Sequence, residues 1–194
     1  MKPELKFQLK RKSMHIILTI YPLLLFYLNV SSVYIFLFSI CYLLIWLIFE
    51  LLRIEYNLNT PSAMLIKYIS HHDYSKQKDA SWKRWRIPYW ILGYIIAQIL
   101  FWHTFIIASV IMLSFGDSAS ALSRAAWSPK CKPLGIVVGA CCGFIIIFLL
   151  TNLIIPSILA SIIGISTELL NNKVNDNLTI PIFAAFGFTI GLMI

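Results

Sequence analysis

IPYWILGYIIAQILFWHTFIIASVIML, residues Ile87–Leu113, is the stretch whose reading decides the architecture of this chain. It is apolar almost throughout. As a single α-helix it would run roughly 40 Å at about 1.5 Å per residue. A hydrocarbon core about 30 Å thick takes about 20 apolar residues per helix, and fewer at the short end of the range. The stretch is therefore too long for one membrane span. The more polar step Trp102-His103-Thr104 divides it into two short ones.

The rest of the chain fits that reading. Of its 194 residues 59% are hydrophobic and only 12% charged, and the mean hydropathy is +0.81. Such values exclude an ordinary soluble domain and place the chain among all-α, polytopic integral membrane proteins with one membrane domain, residues 1–194. Further apolar runs lie at Met14–Tyr27, Val33–Leu52, Leu134–Leu153, Ile158–Leu170 and Leu178–Ile194. With the two halves of Ile87–Leu113 they predict seven transmembrane helices. A charged start before an apolar run also describes a cleaved signal peptide. The second span that follows at once favours a retained helix.

Charge supports the division. With a cytoplasmic N-terminus and seven spans, all 16 Lys and Arg fall on the cytoplasmic side. None falls in the outer turns near Asn29, His103 and Asn152, as the positive-inside rule requires. Left undivided, Ile87–Leu113 would send Arg124, Lys130 and Lys132 outside. The formal net charge of +8 thus reads as topology and as attraction for anionic headgroups and phosphorylated substrates. It does not call for nucleic acid.

The one long polar connection, residues 54–86, is expected on the cytoplasmic surface. Met64, Leu65, Tyr68 and Ile69 form the apolar side of a short interfacial helix, and Trp82, Trp85 and Trp90 interleave with Lys83, Arg84 and Arg86, a mix that suits the headgroup layer. His71-His72-Asp73 reads as a solvated loop segment. Cys41, Cys131, Cys141 and Cys142 show neither metal-ligand spacing nor a disulfide framework.

The acidic residues carry the chemistry. Glu50, Asp117, Glu168 and Asp176 stand at or just inside the cytoplasmic ends of spans. Asp117 lies in Ser114-Phe115-Gly116-Asp117-Ser118-Ala119-Ser120-Ala121-Leu122, where small neighbours let a helix or a ligand approach the backbone. Carboxylates at one depth with cations beside them suit a metal–nucleotide site. Mg²⁺ takes one or two carboxylates plus phosphate oxygens, and phosphoryl transfer asks mainly for positioning and charge neutralisation. Asp117, Glu168 and Asp176 can hold the metal or orient an acceptor hydroxyl. Arg11, Lys12 and Lys132 can hold phosphates. Arg11 and His15 share a helical face at i, i+4, and His15 would orient a phosphate or carboxylate. Asp176-Asn177-Leu178-Thr179-Ile180-Pro181 reads as a helix start with Asn177 as N-cap and Pro181 in the first turn, an anion-binding helix end. The plain alternative is that each carboxylate pairs with a neighbouring cation, as Glu50 would with Arg53 at i, i+3.

Arg11-Lys12-Ser13-Met14-His15, Glu50-Leu51-Leu52-Arg53, Gly116-Asp117-Ser118-Ala119-Ser120-Ala121-Leu122, Glu168 and Asp176-Asn177-Leu178-Thr179-Ile180-Pro181 follow one another in that order. Together they resemble the family of dolichol kinase, phytol kinase and the CTP-dependent diacylglycerol kinase. The resemblance implies a polytopic membrane enzyme that phosphorylates a lipid alcohol, commonly with CTP, at a Mg²⁺-dependent site on the cytoplasmic face. It implies catalytic and metal roles for Asp117, Asp176 and Glu168, and phosphate or nucleotide contacts for Arg11, Lys12, His15, Arg124, Lys132 and Asn177. Glu50, Arg53 and Gly116 would support them. In this chain Arg124 would keep the role of an arginine that the family carries after the Gly-Asp stretch, and Lys132 with Gly135 a trimmed remnant of its next motif. Ser128-Pro129-Lys130 resembles part of the phosphatidate cytidylyltransferases, which sets a CDP-lipid synthase beside the kinase as an alternative. A transporter would carry its ionisable groups near the bilayer midplane. Here they gather at one face, which favours interfacial chemistry.

Overall fold

The computed structural model describes residues 3–28, 30–56, 64, 86–101, 105–127, 132–169 and 175–194. Those residues are helical nearly throughout and contain no strand, as the hydropathy pattern predicts. The helices are α1 (Pro3–Tyr27), α2 (Ser32–Tyr56), α3 (Arg86–Leu100), α4 (Phe105–Ile111), α5 (Asp117–Ala126), α6 (Lys132–Thr151), α7 (Ile154–Ser166) and α8 (Asp176–Met193). A π turn, Met112–Gly116, joins α4 to α5 without a break, and a 3₁₀ turn, Thr167–Leu169, follows α7.

α3 ends at Leu100, and the next helix begins at Phe105. The long apolar stretch therefore holds two helices; Trp102, His103 and Thr104, between them in sequence, lie outside the described residues. The second half does not stop at Leu113, however. Through the π turn it continues to Ala126 as one rod. Asp117 therefore lies within a continuous helical rod, not at the end of a helix. The π turn is visible in the Asp117 N–H, which donates to the Met112 carbonyl five residues back. One extra residue in the turn rotates everything after it by roughly 100° about the axis.

This rod is the centre of the molecule. Ala108, Ser109, Val110, Ile111, Met112, Leu113 and Ser114 are all buried, so the helix is enclosed on every side. α1, α3, α6, α7 and α8 pack around it, and α2 lies outside against α3. Small residues set the close approaches. A Cβ on Gly139 of α6 would come within 2.7 Å of the Gly116 carbonyl, so α6 crosses the rod at the level of the π turn. α7 and α8 form the most extensive pair. A Cβ on Gly187 of α8 would lie 2.6 Å from the Leu159 carbonyl of α7. Asn152, at φ 57, closes the tight connection between α6 and α7 in the left-handed conformation that asparagine tolerates.

Many large apolar side chains point outward, among them Ile17, Leu24, Tyr34, Phe38, Ile48, Leu149 and Ile162. Among the described residues, α6 and α8 are long and apolar enough to cross a membrane. Other boundaries move modestly. α1 begins at Pro3 and takes in the basic segment, α2 runs on to Tyr56, and α7 starts at Ile154 with Pro156 inside it. Trp90, expected in the headgroup layer, is instead buried on α3 in the core, packed edge-on against Tyr94. The expected interfacial helix and most of the 54–86 connection, with His71, His72 and Asp73, lie outside the described residues.

Candidate active site

The rod, α1, the 3₁₀ turn and α8 bring together residues far apart in sequence. Lys12 of α1 reaches Asp117 at the start of α5, and its ammonium donates to Asp117 Oδ2 in a buried ion pair. Lys12 is 1% exposed and Asp117 4%. His15, one turn on from Lys12, places Nδ1 3.9 Å from the same oxygen. The two side chains that meet Asp117 are thus related by i, i+3. Arg11 lies within electrostatic reach of Asp117 and Asp176.

Two turns along α5 a second, half-buried ion pair forms. Arg124 Nη2 is 3.1 Å from Glu168 Oε2. The Ser120 hydroxyl donates to the same oxygen at 3.0 Å. Arg124 is itself steadied by its Nε, which donates to the Ser120 carbonyl at 3.3 Å. Its aliphatic stem lies against α6, where a Cβ on Gly135 would come within 2.7 Å of it. Glu168 depends on the 3₁₀ turn, whose Thr167 hydroxyl donates to the Gly164 carbonyl at 2.7 Å. Asp176 opens α8 and is exposed, within electrostatic reach of Asp117, Glu168, Lys12 and Arg124.

The start of α8 differs from expectation in two ways. The N-cap is Asn175, not Asn177: its side chain accepts from the Asn177 N–H at 3.0 Å. Asn177 is buried within the first turn. Pro181 falls in the second turn, where it has no N–H to give the Asn177 carbonyl. That carbonyl lies against α3, where a Cβ on Gly93 would sit 2.8 Å away. The Ser109 hydroxyl of the central rod donates to the Pro181 carbonyl at 2.7 Å, which ties the kinked segment to the core.

Of the residues expected at the site, Arg11, Lys12, His15, Asp117, Arg124, Glu168 and Asp176 gather in one cluster. Lys132 does not join them. It is the first residue of α6 and is exposed, although Gly135 one turn later packs on Arg124. Gly116 serves as a close-contact residue of the π turn. Glu50 and Arg53 lie on α2, whose main packing partner is α3. Ser128, Pro129 and Lys130 lie outside the described residues.

The three carboxylates do not form a closed metal cage. Among the described residues no three His, Cys, Asp or Glu side chains converge as metal ligands. Asp117 is engaged by Lys12, Glu168 by Ser120 and Arg124, and Asp176 is exposed. What the arrangement does offer is alternating charge in a buried setting, with hydroxyls beside it. Ser114 and Ser118 flank Asp117, are buried, and have hydroxyls with no partner among the described residues. Sequence reasoning took these serines, and Ser120, only as small packing residues. Their recurrence through Ser114-Phe115-Gly116-Asp117-Ser118-Ala119-Ser120-Ala121-Leu122-Ser123 was the available signal.

Comparison with protein-family models, with curated proteins and with solved structures finds no match for this chain.

Proposed function

We propose that the chain is an integral membrane phosphotransferase. It moves the terminal phosphoryl group of a nucleoside triphosphate, CTP by the resemblance of its motifs, to the hydroxyl of a lipid alcohol. The observation that carries the reading is the convergence of two ion pairs, the buried Lys12–Asp117 and the half-buried Arg124–Glu168, on one spot with Arg11, His15 and Asp176 in reach. Four separate elements contribute to it. Phosphoryl transfer needs such a set: cations to hold phosphates and carboxylates to manage a metal and an acceptor proton. Asp117 and Asp176 are the carboxylates that would meet a Mg²⁺ ion carried in on nucleotide phosphates, and that ion would neutralise charge on the transferring group. A nucleotide-borne ion needs no closed protein cage.

The membrane reading has its own support. Seven helical rods are present among the described residues when α4, the π turn and α5 count as one. Apolar side chains cover their outer faces, which in water would be an association hazard. On a seven-span reading with a cytoplasmic N-terminus, Asp117 lies about 18 Å along its rod from Phe105. The site is then sunk below the cytoplasmic headgroups. A lipid hydroxyl and a nucleotide phosphate can meet at that depth.

The test is direct. Purified protein in lipid nanodiscs is given CTP or ATP labelled in the terminal phosphate, with dodecanol, farnesol, phytol, dolichol and dioctanoylglycerol in turn. Thin-layer separation should show a Mg²⁺-dependent labelled lipid phosphate. No labelled lipid with any acceptor refutes the kinase. Release of pyrophosphate in the presence of a lipid phosphate would mark a cytidylyltransferase instead.

A further inference from the structure

Glu168 is held in an unusual way. Oε2 takes both of its donors, the Ser120 hydroxyl at 3.0 Å and the Arg124 guanidinium at 3.1 Å. Oε1 is buried and has no hydrogen-bond partner among the described residues. The residue as a whole is 8% exposed. A buried carboxylate oxygen left without a donor is costly, so this one needs explaining. The pinned Oε2 fixes the direction in which Oε1 points. A phosphate does not complement Oε1, because it brings only acceptor oxygens to an acceptor. The complementary group is an O–H or a cation. Asp117 carries the Lys12 ammonium on Oδ2, and Glu168 already carries the Arg124 guanidinium on Oε2. With its charge met at Oε2, Glu168 has Oε1 left for an O–H donor.

We infer that Glu168 Oε1 is the atom that receives the acceptor hydroxyl of the lipid alcohol and takes its proton, with Ser120 and Arg124 as positioning residues. The inference rests on the kinase reading above and assigns one role within it. The alcohol O–H donates to Oε1, and its oxygen attacks the terminal phosphorus in line. The new O–P bond forms while the bond from that phosphorus to the bridging oxygen breaks. The nucleoside diphosphate leaves with that electron pair, and the proton stays on Glu168 until it is released to water. Arg124, tied to the other oxygen, limits Glu168 to one orientation. Oε1 is out of reach of bulk water in the ligand-free molecule, so the hydroxyl arrives as the site opens to admit its lipid. Exclusion of water favours transfer to lipid over hydrolysis of the nucleotide.

The experiment compares Glu168→Gln with the parent in nanodiscs, on dodecanol and on its analogue carrying two fluorines on the carbon next to the carbinol. Fluorination makes the hydroxyl more acidic and lessens the need for a base. A lost general base typically lowers the rate by a hundredfold or more. The expected result is a loss of that size on dodecanol, at least tenfold smaller on the fluorinated acceptor, with the Mg²⁺ concentration for half-maximal rate unchanged. Ser120→Ala should show a smaller fall in kcat with the same fluorine rescue. An equal loss on both acceptors with a raised Mg²⁺ requirement would make Glu168 a metal ligand and overturn the inference. Unchanged turnover in Glu168→Gln would overturn it too, while leaving the kinase standing. If the parent protein phosphorylates no alcohol, the kinase reading itself fails, and this assignment with it.

Discussion

Lys12 and Asp117 are separated by 105 residues in sequence and form one buried pair, which makes them suited to a double-mutant cycle. An exposed ion pair contributes about 0–1 kcal/mol. Neither of these side chains is exposed: Lys12 is at 1% and Asp117 at 4%. Removing one member of a buried pair leaves the other charge uncompensated, at a cost of about 3–5 kcal/mol. Lys12→Met and Asp117→Asn should each therefore lower stability by roughly 3 kcal/mol or more. The double variant removes both charges together, and its loss should fall short of the sum by at least about 2 kcal/mol. Unfolding in mixed dodecylmaltoside and sodium dodecyl sulfate micelles, followed by tryptophan fluorescence, measures all four corners. Activity should behave differently. If Asp117 meets the metal–phosphate group, both Asp117→Asn and the double variant lose on the order of a thousandfold in rate, about 4 kcal/mol in the barrier. The stability rescue would come with no catalytic rescue. Additivity within about 0.5 kcal/mol would refute the buried pair, because independent sites behave that way.

Two further outcomes follow from the packing and the topology. Gly139→Ala places a Cβ 2.7 Å from the Gly116 carbonyl and 3.0 Å from Ser120 Cβ. It should cost about 1–3 kcal/mol as an overpacking change, whereas Val137→Ala on the exposed side of the same helix should stay within about 1 kcal/mol in the same unfolding assay. Trp127 is exposed just past the end of α5 and belongs on the cytoplasmic side under the seven-span reading. With the native cysteines replaced by serine, Trp127→Cys should react with a membrane-impermeant maleimide only after the cells are permeabilised; labelling of intact cells would reverse the orientation.

The charged residues of the site were legible before the structure. Arg11, Lys12, His15, Asp117, Arg124, Glu168 and Asp176 stand out because ionisable groups are rare in so apolar a chain and costly to keep there. The break near His103 was legible for a similar reason, as a polar step in a run too long for one span. The continuation of the rod beyond Leu113 was not. Ser114–Ala126 is small and polar and looks like the end of a span. Its burial depends on Gly135 and Gly139 of α6, which lie beyond the segment's end in the sequence. Nor can periodicity reveal a π turn, since the extra residue shows only as a change of phase that a short segment is too brief to display. The choice of Asn175 over Asn177 as cap was likewise hidden. Both are asparagine, which caps well, and the decision belongs to the backbone, extended at Asn175 and already helical at Asn177. Pairing was the least visible feature. Several cations and three carboxylates allow many matches, and only the crossing of α1 over α5 selects Lys12 for Asp117.

That selection bears on how the site works. Buried ion pairs are poor sources of stability, because desolvation offsets most of the attraction and apolar replacements of similar size are often as stable. Lys12–Asp117 and Arg124–Glu168 are therefore not needed to hold an apolar bundle together. Each pair does, however, keep a cation at fixed coordinates in a place where an unpaired one would be expelled. On the proposed kinase function, the Asp117 carboxylate would stand in for the anion to come. An entering triphosphate would let Lys12 exchange a carboxylate oxygen for a phosphate oxygen at little net cost, since the desolvation has already been met by folding. Asp117 would then be free to hold a metal ion carried on the phosphates, while Ser120 and Arg124 keep their hold on Glu168. The π turn helps set this geometry: by rotating α5 as a whole relative to α4, it turns Asp117 toward α1 and Ser120 toward the 3₁₀ turn together.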